Sequence, residues 1–106
     1  MNDPKHLTAV IREVHGCRAT HVRSEPVTER FKNGTIWEGV IEVFDTVGHP
    51  DASRVYAWSY LADDATIQHR AVLGVPPINS AVDAVRAAAV AEAQKTLRAK
   101  VPVSTR

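Results

Sequence analysis

Five histidines and a single cysteine are the side chains of this 106-residue chain best suited to metal or acid–base chemistry. His15, Cys17 and His21 fall within seven residues, and imidazole with thiolate would suit a soft metal. The spacing argues against it, because neither a C-x-x-C nor an H-x-x-x-H pattern is present. Asp45, His49 and Asp51 surround one loop and could form an acid–base or metal group. Turn chemistry accounts for them more simply, since Asp, Gly and Pro all favour tight connections. Cys17 has no activating base beyond His15 or His21, and a lone cysteine reads as a small buried hydrophobe. His6 and His69 have no partner legible in the sequence. Gly34, Gly39, Gly48 and Gly74 are scattered and build no phosphate-cradling loop. The expectation is no catalytic residue, no metal and no cofactor.

The elements that would position these residues can be read in turn. Asp3 and Pro4 form an N-cap and first helical residue, and Leu7, Val10, Ile11 and Val14 make one apolar stripe. Gly16 can supply the left-handed stop, which gives a helix over residues 4–15. Residues 18–31 are strand-like, with Pro26 marking an edge position or a bulge. Thr35–Val47 is the strongest strand in the chain. Ser53–Leu61 alternates, with Val55, Ala57 and Leu61 on one face and Tyr56, Trp58 and Tyr60 on the other. Asp63 and Asp64 mark a turn, Ile67–Val75 is a further strand, and Pro76-Pro77 stops it. Ser80 and Asp83 form a capping pair for an alanine-rich helix over residues 81–100.

Charge sets the register of the first hairpin. A two-residue Asn-Gly loop would place Glu29 opposite Glu38 and Glu25 opposite Glu42, two repulsive pairs. A three-residue loop closing Phe31 on Thr35 avoids both and suits a left-handed glycine. The three-residue loop is expected, with a bulge at Pro26 able to reset the register beyond it.

The predicted fold is α+β, in the order α-β-β-β-(β)-α. Three or four antiparallel strands carry two helices packed on one face. The length allows one domain over residues 1–106, with residues 100–106 a flexible tail. Apolar residues at 44% supply a core and argue against disorder. One cysteine allows no internal disulfide, and neither a membrane span nor a signal peptide is legible, so the expected location is cytoplasmic.

This order resembles the double-stranded-RNA-binding domain over almost the whole chain. That family aims a lysine-rich stretch at phosphates from the start of its last helix. The matching positions here, Ser80-Ala81-Val82-Asp83, hold no base before Arg86, so the resemblance is one of topology. The segments Trp37-Glu38-Gly39, Glu42-Val43-Phe44-Asp45, Gly48-His49-Pro50, Tyr56-Ala57-Trp58 and Pro76-Pro77-Ile78 resemble the pattern of a group of small uncharacterised bacterial proteins. That resemblance implies no activity and no site residues.

The near-neutral total hides a segregation of charge. Residues 1–34 carry +2, residues 35–65 carry −5 and residues 66–106 carry +4. Nucleic acid binding needs a contiguous basic face, for which Arg86, Lys95, Arg98 and Lys100 are the candidates. If both helices cover the Val55 face, Tyr56, Trp58 and Tyr60 form an open aromatic row. Such a row could pair two sheets in a homodimer or stack single-stranded bases. Alternatively, the aromatic face is itself the core. The leading expectation is a non-enzymatic interaction module that self-associates through the aromatic face, with an unknown protein partner also open. An RNA- or single-strand-binding domain is the alternative, and a small enzyme or metal site around His49 ranks third. No membrane partner is expected.

Overall fold

Asp3 opens the first helix as the sequence predicts: its carboxylate accepts from the Lys5 N–H at 3.1 Å. Gly16, at φ +68°, closes it by donating to the Arg12 carbonyl at 2.9 Å. A computed structural model describes residues 2–32, 34, 36–62 and 64–100, except the side chains of 93–100. The elements are α1 (Pro4–His15), β1 (Arg18–Arg30), β2 (Ile36–Val47), β3 (Arg54–Leu61), β4 (Ile67–Leu73) and α2 (Ala81–Lys100). The four strands form one sheet in the order β1-β2-β3-β4, every neighbour antiparallel. The protein is thus α+β, and residues 67–73 do pair as a fourth strand.

The hairpin register follows the charge argument. Arg30 pairs with Ile36, Glu29 with Trp37 and Glu25 with Ile41, so neither glutamate opposes another. Gly34 sits at φ +89° and donates to the Phe31 carbonyl, as the three-residue loop requires. Asn33 and Thr35 lie outside the described residues. Pro26 stays in register opposite Val40, on an edge strand where its missing N–H costs no ladder bond. The bulge lies instead at Val22: His21 pairs with Phe44 and Arg23 with Val43, leaving Val22 without an opposite residue.

The two helices do not share a face, which corrects the expected sandwich. Leu7 and Ile11 of α1 are buried with Cys17, Phe44, Val55 and Ala57. Ala81, Ala84 and Val85 of α2 are buried with Val27, Ile41, Val43, Tyr56 and Trp58 on the opposite face. The reason lies in β3, where Val55, Tyr56, Ala57 and Trp58 are all buried in succession. Both faces of such a strand are apolar, and each needs its own cover. Alanine suits α2 because its small side chains approach bulky Tyr56 and Trp58 closely.

The α2 cap differs slightly from expectation. The Asp83 N–H donates to the Ser80 hydroxyl at 3.2 Å, while the Asp83 carboxylate receives the N–H of Asn79 rather than that of Ser80. The bond between Pro76 and Pro77 is cis. Of the expected tail, only Lys100 is described, as the last residue of α2.

Candidate functional site

The sheet is not continuous from end to end. β2 and β3 pair from Asp45–Arg54 to Glu42–Ala57, and there the ladder stops. Beyond it, β1–β2 and β3–β4 run on as two separate ribbons. In an antiparallel ladder every second pair exchanges hydrogen bonds. The Thr46 N–H donates to the Ser53 carbonyl at 3.1 Å, which makes Phe44–Val55 and Glu42–Ala57 the following bonded pairs. The next pair would be Val40 with Ser59.

Asn2 occupies that place. Its side-chain amide donates to the Val40 carbonyl at 2.7 Å, and its side-chain carbonyl accepts from the Ser59 N–H at 2.8 Å. A carboxamide from just before α1 therefore stands between the two strands as a peptide group would. The parted strands enclose a cleft of about 520 Å³, lined by Asn2, Trp37, Gly39, Val40, Trp58 and Leu61 among others. Trp37 and Trp58 meet edge to face at 6.0 Å beside it.

A polar cluster continues from Asn2. Glu42 is 4% exposed, and its carboxylate accepts from Asn2 at 3.0 Å, His21 at 2.8 Å and the Ser24 hydroxyl. Burial pushes its carboxyl upward, but the bonds from Ser24, Asn2 and His21, with the charge of His21, outweigh this and hold it below the usual value. The bulge at Val22 helps by letting both His21 and Ser24 reach the Glu42 side of the sheet. On the other side of Asn2, the Ser59 hydroxyl bonds to His69 Nδ1 at 2.8 Å, and His69 Nε2 lies 3.1 Å from His6 Nε2. The sequence offered no partner for either histidine; the 63-residue separation between them explains why.

This Ser–His–His chain resembles the relay of a nucleophilic site, yet the donors beside it are already engaged. The Ser59 N–H is held by Asn2, and the Asn2 amide by Val40 and Glu42. An oxyanion would find neither available.

The other sequence candidates are dispersed. His15 contacts the Ala71 carbonyl at 2.8 Å, Cys17 is buried in the α1 core, and His21 serves Glu42. His49 Nδ1 accepts the N–H groups of Asp51 and Ala52, at 3.0 and 3.2 Å, and Asp45 binds Arg54. His49 and Asp45 are therefore engaged in turn and strand contacts, to which Asp51 contributes its backbone N–H. Among the described residues, no group of three or more His, Cys, Asp or Glu side chains is placed to hold a metal ion.

The open aromatic row is corrected by burial. Tyr56 and Trp58 are each 3% exposed beneath α2, and the Tyr60 hydroxyl accepts from Arg70 at 2.9 Å. Of the basic candidates, Arg86 is bound to Glu29 at 2.6 Å. The side chains of Lys95, Arg98 and Lys100 lie outside the described residues.

A surface missed by sequence reading is the opposite one. α1 covers only the Phe44–Val55–Ala57 end of its face and begins where the ribbons part. Ile36, Val40, Leu61 and Ile67, on the uncovered end of that face, are 44–61% exposed. Alternation within β2 could have placed Ile36 and Val40 there, but not the reach of α1. Among the described residues, no helix is long and apolar enough to cross a membrane. No family model matches the chain, and neither the curated proteins nor the solved structures compared with it give a match.

Proposed function

We propose that this domain is a non-enzymatic interaction module that pairs with a second copy of itself through the half of the sheet that α1 leaves open. The observation that carries this reading is the exposure of Ile36, Val40, Leu61 and Ile67 on one face of the parted ribbons. Leu61 and Ile67 are directly opposed across β3 and β4, so their side chains form one apolar step. Monomeric proteins seldom leave several large apolar side chains uncovered on one face, and a two-fold pairing would bury the same face on both copies. The surface differs from the aromatic row expected from sequence, of which Tyr56 and Trp58 lie buried in the core.

Sedimentation equilibrium across a range of concentrations tests the proposal. A reversible dimer is expected, and Ile67→Asp should weaken it by about tenfold or more, since a charge would be desolvated at the contact. A monomer at millimolar concentration, or a dimer indifferent to Ile67→Asp, would overturn it.

A further inference from the structure

We propose that the cleft between β2 and β3 binds an extended peptide segment of a partner chain, which completes the ladder where the Asn2 carboxamide now stands. This goes beyond self-association, because the site is defined by the backbone groups of Val40 and Ser59, although Val40 and Leu61 border both surfaces.

The hydrogen-bond pattern is the first support. A peptide group lying between two strands donates to one and accepts from the other. The Asn2 carboxamide does both, giving its N–H to β2 at Val40 and taking an N–H from β3 at Ser59. The wedge thus already holds an amide in the orientation that strand addition would use. Beyond Val40 and Ser59, the inner edges of the two ribbons carry no mutual ladder pairs. Unpaired strand edges of this kind are templates for another chain. The cleft of about 520 Å³ leaves room for a short stretch of backbone beyond Asn2.

Charge indicates the kind of segment. Glu38, which is exposed, and Glu42 are the charged residues that line the cleft, and both are acidic. A neutral or basic segment is favoured over an acidic one. Asn2 would then act as a built-in competitor, which an incoming strand must displace from Val40 and Ser59 while Glu42 keeps its bonds to His21 and Ser24.

The probe is an acetylated and amidated pentapeptide, Lys-Val-Thr-Val-Lys, titrated into the native chain and into Asn2→Ala. Emission from Trp37 and Trp58, both at the cleft, and the amide resonance of Ser59 report binding. The same peptide with alternate backbone nitrogens methylated is the control, since it keeps the side chains and loses the ladder donors. Binding by the unmethylated peptide is expected, with Asn2→Ala tighter by about tenfold because the competitor is gone. Equal binding of the methylated peptide, or no binding to either chain below about 1 mM, would overturn the proposal. Should Asn2→Ala fail to fold, the Ser59 resonance of the native chain decides by the same comparison. Because Val40 and Leu61 border both the cleft and the self-association patch, the titration is repeated in Ile67→Asp, outside the cleft. Peptide binding there stands whatever the oligomeric state, and no peptide binding to Ile67→Asp, with dimerisation of the native chain intact, sinks this inference alone.

Discussion

Glu42 and His21 face one another across β1 and β2 at 2.8 Å, the histidine on the half-exposed side and the carboxylate buried. With Ser24 on the same oxygen as His21 and Asn2 on the other, both carboxylate oxygens of Glu42 are partnered within the sheet. Its carboxyl is held below the ordinary value of 4.5. A group whose pKa is lower folded than unfolded adds stability above its unfolded pKa, and loses it as pH falls through the folded value. Denaturant unfolding should therefore show stability falling below about pH 4.5 in the native chain, with a shallower fall in Glu42→Gln. Glu42→Ala at neutral pH should cost about 2–4 kcal/mol, because the donors from His21, Ser24 and Asn2 lose their acceptor.

Gly39 leaves room for the Trp37 ring. A Cβ at position 39 would come within 2.9 Å of the Trp37 ring, which lies over the glycine on the α2 side of the sheet. Gly39→Ala should displace the indole and disturb its edge contact with Trp58, costing about 1–3 kcal/mol by overpacking. Thermal unfolding measures the cost, and the near-ultraviolet dichroism of the two tryptophans should change with it.

Trp58→Ala acts on stability rather than on association. The ring is buried among Ile41, Val43, Ala84 and Val85, so its loss should cost about 3–5 kcal/mol. The dimerisation constant of the folded fraction, read by sedimentation, should stay within error of the native value.

His49 holds a turn through its Nδ1. Its Nδ1 accepts two backbone N–H groups, an arrangement that an asparagine side-chain carbonyl can reproduce. His49→Asn should be close to neutral, while His49→Ala should lose about 1 kcal/mol in denaturant unfolding. Equal losses in both variants would mean that the ring contributes by packing.

Local chemistry made much of the fold legible. The Asp3 cap, the Gly16 stop and the three-residue Phe31–Thr35 loop each depend on residues close in sequence or directly opposed across one hairpin. β1 was harder to read, because the extra residue at Val22 inverts the alternation partway: Ala19 and Val27, both odd-numbered, lie on opposite faces. The cleft was not legible at all. Asn2 meets Val40 and Ser59 across separations of 38 and 57 residues, and no periodicity or motif announces a side chain that replaces a ladder bond.

Sequence alone determined the order of the elements, the register of the first hairpin and the dispersal of charge into an acidic centre between basic ends. Those features rest on backbone geometry, local capping and the sign of neighbouring charges. Only the tertiary structure decided which face each helix covers, and therefore that Tyr56 and Trp58 are core while Val40, Leu61 and Ile67 are open. The reason is that β3 is apolar on both sides. An alternating strand of that kind specifies two buried faces without saying which helix goes where, or how far along the sheet its cover extends.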